Sequence, residues 1–204
     1  MRKPMKSKND SEFGKNPDGT IFLEKLGDDD LRLAKQLAGC KGGSGHDSFL
    51  KDIVVHADFT GTADFIMQLY RYHHRDTASS ESKMHGITKV SDIGDNCSKW
   101  VDINTIKFVN SLIWMYNIVP VDEYGGRSVL FPKGKEMPQT KKEMFECIIH
   151  NLPMGYELTF GEVTNYLQLK SQYRQRKSHK MSSWSDVFVK WVKTLPYSFL
   201  ITGE

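Results

Sequence analysis

Apolar positions recur at helical spacing over Asp28–Gly39, "DDDLRLAKQLAG". Leu31, Ala34 and Leu37 or Ala38 form one stripe, three acids sit at the positive N-terminal end, and Gly39 stops the helix. Over Asp52–Phe59, "DIVVHADF", the period switches to two with β-branched residues, the signature of a strand. Thr62–Arg75, "TADFIMQLYRYHHR", returns to helical spacing with Thr60 or Thr62 as the cap. Phe65, Ile66, Leu69, Tyr70 and His73 fall on one side of it, and Gln68, Arg71 and Arg75 on the other. Asp102–Ile118 predicts a helix buried on most faces. Thr140 with Glu143 and Thr159 with Glu162 have the spacing of capping boxes, predicting helices over "KKEMFECIIH" and "FGEVTNYLQLKSQYRQRK". A last helix, "SWSDVFVKWVKTL", starts near Ser182 or Ser183 and ends at Leu195, before Pro196. Lys41–Gly45 reads as a turn, Tyr124–Pro132 as a turn and short strand, and "PKGKEMP" as a loop. Met1–Gly19 is polar and predicts a flexible segment, leaving 20–204 as the folded domain. The class expected is a helix-rich α/β (α+β) single domain with a small sheet.

Composition narrows this little. At 204 residues, with 39% apolar and 26% charged residues, the chain can bury a substantial core. The longest apolar run, Ser111–Val121, is broken by Pro120 and is shorter than the about 18 residues a membrane span needs. The basic N-terminus lacks the apolar stretch of a secretory signal. Three widely spaced cysteines form no C-x-x-C pair, so a reducing, cytoplasmic setting is expected, with neither a disulfide framework nor a thiolate metal site. A net charge of +3 does not by itself call for nucleic acid.

Candidate chemistry concentrates in two stretches, "GHDSFLKDIVV" (Gly45–Val55) and "QLYRYHHRDTASSES" (Gln68–Ser82). Gln68, Arg71 and Arg75 would form a row of long donors, facing water or an anion. His73 and His74 diverge by about 100° on a helix, so with His46 or His85 they make a poor metal site. Ser79, Ser80 and Ser82 lie near histidines without a nucleophile elbow. "GCKGGSG" lacks the spacing of a phosphate-binding loop. Lys170–Lys180 carries Lys170, Arg174, Arg176, Lys177 and Lys180 beside Tyr173, a stripe that grips a nucleic-acid backbone or merely meets solvent.

In order and spacing these segments resemble the flavin-dependent thymidylate synthases, in a divergent, phage-type form. The family's Gly-His-Glu-Thr/Ser element before an apolar strand reads "GHDSFLKDIVV" here. Its Gln-x-x-Arg-His-Arg helix and Ala-Ser-x-Asn-Glu-x-Ser-x-Arg-Tyr loop have counterparts in "QLYRYHHR" and "TASSESKMH". "NLP" (Asn151–Pro153) and "NYLQLK" (Asn165–Lys170) match later elements, and "HKMSSWSDV" is a weak echo of the last. The likeness runs from about Gly45 to Trp184.

The resemblance implies FAD as cofactor, NADPH and methylenetetrahydrofolate as cosubstrates, and methylation of dUMP or a related pyrimidine nucleotide. It implies a homotetramer with sites between subunits, working in the cytoplasm (the host's, for a phage protein). His46, Ser48, Arg71, His73 and Asn165 would hold flavin. Gln68, Arg75, Ser82 and Lys170 would meet the nucleotide, with Arg71 and Ser82 nearest the chemistry. Asn165 and Lys170, about 140° apart on a straight helix, would reach one point only across a subunit boundary. The motif is also altered. Aligned on Arg71 and Ser82, it needs one inserted residue, and the family's central His and second Arg become Tyr72 and His73. Its loop Glu and nucleotide-binding Arg fall on Ser80 and Met84. A shifted register recovers His74-Arg75 and Glu81 but loses Ser82 and puts His85 in place of the arginine. The alternatives are a catalytically retired nucleotide binder, serving as a phage accessory protein, and a nucleic-acid-binding protein.

Overall fold

The structure is a computed structural model and describes residues 10–130 and 136–204, with the backbone alone over 126–130. In chain order the elements are β1 (Glu12–Lys15), β2 (Ile21–Lys25), α1 (Asp28–Gly39), β3 (Val54–Thr62), α2 (Ala63–Leu69), β4 (Asp76–Ser80), α3 (Lys83–Gly86) and α4 (Ile103–Ile118). They continue with α5 (Lys141–Asn151), β5 (Glu157–Asn165), α6 (Tyr166–Arg176), α7 (Val189–Thr194) and α8 (Phe199–Thr202). Short 3-10 turns link several of them. Helix accounts for 51% and strand for 18% of the described residues, as a helix-rich α+β reading requires. β1 and β2 pair antiparallel, and the second sheet has the order β3-β5-β4.

The chain divides into two compact units. One comprises the residues up to His56, His74–Asp76 and Val163–Glu204. The other comprises Ala57–His73 and Thr77–Glu162. The first is built around Leu50, Leu169, Trp184, Phe188, Val192 and Leu200, all buried. The core of the second draws on α4 (Val109, Leu112, Met115) and α5 (Met144, Ile148), closed by Ile87, Ile93 and Tyr124.

Several elements depart from the sequence expectation. Part of the segment expected to be loose, Glu12–Lys15, is a strand; residues 1–9 lie outside the described part. Pro17-Asp18-Gly19 is the reason. Gly19 takes φ +90°, which a residue without Cβ accepts at no steric cost, and the Asp18 carboxylate accepts from the Thr20 amide at 2.9 Å. The Asp52–Phe59 strand begins at Val54 and runs on to Thr62. Val121–Leu130 is a 3-10 run where a turn and strand were expected, anchored by the buried Tyr124; residues 131–135 fall outside the description. α4 keeps Ile103, Trp114 and Ile118 exposed on one face. The helix expected to be the last starts at Ser183 as expected, but its first turns, Ser183–Phe188, are π-helical, and α8 follows it beyond Pro196.

The two capping boxes part company. Thr140 accepts from the Glu143 amide at 3.1 Å, while the Glu143 carboxylate reaches back to the Gln139 amide at 2.6 Å. Replacing Thr140 with alanine is expected to lower stability by about 1 kcal/mol, read from urea unfolding; an unchanged midpoint would show that the cap contributes nothing. Thr159 and Glu162 cap no helix, because Glu157–Asn165 is strand β5. The β-branched Thr159, Val163 and Thr164 favour the extended chain. Helix α6 starts six residues later, with Asn165 as its cap accepting from the Gln168 amide at 2.9 Å.

Candidate functional site

In the second unit, helix α2 ends at Leu69, before Arg71. The Tyr70 amide still bonds to Ile66, but Arg71 and Tyr72 fold back on Gln68 and Leu69 in tight three-residue turns. Only Phe65 and Leu69 anchor the helix in apolar surroundings. The aromatic and histidine-rich residues that follow have weak helix propensity, so the two turns stop there. Gln68, Arg71 and Arg75 therefore do not share a helix face, correcting the donor row expected from periodicity. Gln68 lies in α2 and is half-buried; Arg71 and His73 are exposed in the connecting turn. Arg75, just ahead of β4 and in the first unit, has its guanidinium nitrogens withdrawn from solvent.

Beyond β4, Glu81 grips β5 at two points. Its amide donates to the Thr159 carbonyl at 2.9 Å, and its carboxylate accepts from the Thr159 amide at 2.8 Å. Ser82 follows directly, exposed at the start of α3, its carbonyl accepting from the His85 and Gly86 amides. The family-like loop is thus pinned through Glu81, and Ser82 is presented at its end. Sequence reasoning missed what lies alongside. Asp58, Thr60 and Ser79 project from the sheet, the Thr60 and Thr159 hydroxyls lie 3.0 Å apart, and Gly161 leaves room between the first group's side chains. A Cβ at Gly161 would come within 2.9 Å of the Ser79 hydroxyl and 3.2 Å of the Asp58 carboxylate. The signal in the sequence is the outward phase of β3, where His56, Asp58 and Thr60 alternate with Val55, Ala57 and Phe59.

In the first unit, Gly45 takes φ +81° and turns the chain so that Asp47 points inward while His46 and Ser48 stay exposed. Asp47 meets Lys170 from α6 at 2.7 Å, each side chain about 5% exposed or less. The Lys170 ammonium also donates to the Ala38 carbonyl, at 2.6 Å, in the last turn of α1. One cation thus ties α6, the His46 turn and a helix C-terminus that attracts positive charge. The ammonium expected at a nucleotide phosphate is committed to an internal carboxylate. Asn165 spends its side-chain oxygen on the helix cap. His74, also in this unit, is held by its carbonyl, which accepts from the Thr164 hydroxyl at 3.1 Å.

The basic stripe over Lys170–Lys180 loses members in the same way. Lys170 is buried, and Tyr173 is 3% exposed with its hydroxyl donating to Glu204, so it offers no stacking face. Arg176 lies over the Trp184 ring, 4.4 Å from its centroid. Burial and, to a smaller extent, the Arg176 charge lower the His179 imidazole from its ordinary value. Arg174, Lys177 and Lys180 remain exposed. Among the described residues no group of three or more His, Cys, Asp or Glu is placed to hold a metal ion, and no helix is long and apolar enough to cross a membrane.

No protein-family model matches the chain, and no curated protein matches its sequence. Solved structures do match its fold. One is the flavin-dependent thymidylate synthase ThyX from Helicobacter pylori complexed with FAD and dUMP. It has a TM-score of 0.61 at 14% identity, over 87% of this chain and 84% of that one. Another structure of the Helicobacter pylori enzyme, with FAD and dUMP, gives a TM-score of 0.50 at 11% identity, over 83% of this chain and 90% of that one. The chain shares the fold of the flavin-dependent thymidylate synthases.

Proposed function

We propose that the protein is a flavin-dependent thymidylate synthase-like protein, binding FAD and a pyrimidine nucleotide of the dUMP type as a homo-oligomer. The observation that carries this reading is the fold likeness over 87% of the chain to an enzyme solved with both ligands. The residues fit a flavin in their chemistry. His46, Ser48, Arg71 and His73 are exposed, and they supply hydroxyl, imidazole and guanidinium donors of the kind a pyrophosphate needs. Asn165 would add its amide, and Gln68 and Ser82 would meet the nucleotide. Lys170 and Arg75 are left out, because their cationic groups are turned inward. When bound, FAD would supply the redox chemistry, with NADPH as the hydride source and methylenetetrahydrofolate as the one-carbon source for dUMP that the family resemblance implies. The chain's own part is to bind and orient the reactants and to place Arg71 where negative charge gathers.

The purified protein is expected to absorb in the flavin band or to take up FAD on titration. Arg71→Ala is expected to weaken FAD or dUMP binding about ten- to a hundredfold, the loss of one charge-assisted contact. A colourless protein that takes up no FAD removes the reading.

The altered motif favours a second reading, a retired synthase that still binds nucleotide. In the register that keeps Arg71 and Ser82, Tyr72 and Met84 stand where the family has a histidine and an arginine; in the shifted register His85 replaces that arginine, and in either case Lys170 is paired internally with Asp47. Thermal stabilisation by dUMP, with no effect of FAD, would select it.

A further inference from the structure

We infer that the first unit contains a second small-molecule site, for a neutral or cationic amphiphile, distinct from the residues assigned to flavin and nucleotide. A cavity of about 630 Å³ opens there, in the size range of sites for drug-sized ligands. Its floor is one face of α1, where Leu33, Ala34 and Leu37 follow the three-to-four spacing, backed by Val55 of β3 and by Leu200. Phe13 and Leu23 of the β1–β2 hairpin form one wall and Tyr197 another. Both hairpin residues and Tyr197 are partly exposed, so apolar surface faces the opening as well as the floor.

Charge selects the ligand. Among the described residues the ionisable groups lining the cavity are Asp30, Asp52 and His56, together with tyrosine hydroxyls, with no lysine or arginine. One Asp30 oxygen accepts from the Ser11 hydroxyl at 2.7 Å, and Asp52 and His56 stand exposed at the edge. A phosphate or carboxylate would enter against two carboxylates, with no lysine or arginine among the described lining residues to receive it. An ammonium carried on an apolar body would meet Asp52 at the edge and the leucines below it. His46, Ser48, Asn165 and Lys170 are absent from the lining, so the site does not depend on the flavin reading. At the rim the Tyr166 hydroxyl donates to the Pro196 carbonyl, and the next residue, Tyr197, is held at φ +53°. That conformation is uncommon for a residue with a Cβ, and the Tyr197 side chain, 44% exposed, lines the cavity.

The test is titration of the full-length protein with Nile red, an uncharged dye, followed by displacement with nonylamine or nonanoate below their micelle concentrations. Saturable uptake near one dye per chain is expected, with the amine displacing dye at a concentration at least about tenfold lower than the carboxylate, and FAD and dUMP displacing none. Leu33→Trp should fill the cavity and abolish uptake while circular dichroism stays unchanged. Asp52→Asn, at an exposed position, should keep dye uptake and bring amine and carboxylate to within about twofold, and it decides the matter should the tryptophan variant not fold. Absence of saturable uptake, equal displacement by both chain types in the unmodified protein, displacement by FAD, or undiminished uptake by a folded Leu33→Trp variant each overturns the proposal.

Discussion

Lys170→Met is expected to destabilise the protein by about 3–5 kcal/mol, the loss that follows when one member of a buried ion pair is removed. Methionine keeps most of the volume of the lysine stem, so packing around α6 changes little. What changes is that the Asp47 carboxylate, about 5% exposed, faces a thioether in place of an ammonium at 2.7 Å, and the Ala38 carbonyl loses a donor at 2.6 Å. Neither oxygen reaches water without opening the His46 turn or the end of α1. The double variant Lys170→Met, Asp47→Leu should recover most of the loss, because an apolar pair of similar volume carries no desolvation penalty. Urea unfolding of the three proteins provides the measurement. A single variant within about 1 kcal/mol of the parent would mean that the pair is hydrated in solution, and the ammonium would then be free to meet a ligand after all.

Trp184→Ala should cost a comparable amount, about 3–5 kcal/mol, from lost apolar burial and the cavity left behind. Trp184 is fully buried at the start of the π-helical turn, with Phe188 one turn on at a centroid distance of 5.1 Å and nearly edge-on. His179 meets the same indole at 6.4 Å, and Arg176 lies over its face. Removal of the ring therefore unseats the π-helical turn that leads into α7 and the end of α6 together. Arg176→Ala removes the cation alone and should cost no more than about 2 kcal/mol. Equal losses for the two variants, measured by thermal or urea unfolding, would show that the guanidinium and not the burial carries the contact.

Local signals were legible wherever one short-range interaction decided the outcome. Thr140 caps α5 because its hydroxyl and the Glu143 amide lie three residues apart whatever the remainder of the chain does. Asp102 caps α4 in a similar way, accepting from Asn104 at 2.8 Å. The same reading failed at Thr159, whose spacing to Glu162 satisfies a cap but whose neighbours pair as strand β5; sheet pairing overrode the local preference. Helix α2 was overextended because Tyr70, Arg71 and His73 keep helical phase in the sequence without the burial that would hold them helical. Glu81 was legible as a candidate only in the shifted register, since its grip on Thr159 spans 78 residues. The internal pairing of Lys170 was hidden for a related reason. Its partner Asp47 is 123 residues away, and a lone basic residue late in a helix reads equally well as a ligand or as a brace. Family resemblance reached the fold, which rests on the order of elements, more securely than the roles of single side chains.

The route of the backbone between the two units has a practical consequence. It changes unit at His56–Ala57, His73–His74, Asp76–Thr77 and Glu162–Val163, so neither unit is an uninterrupted stretch of sequence. Residues 57–162 carry the whole of the second unit and, of the first, only His74–Asp76, whereas the first is drawn from both ends of the sequence, so a nick near position 162 divides the first and leaves the second on one fragment. Deletion from either end therefore removes part of the first unit before it reaches the second, and point substitutions are the means of separating the roles of the two units.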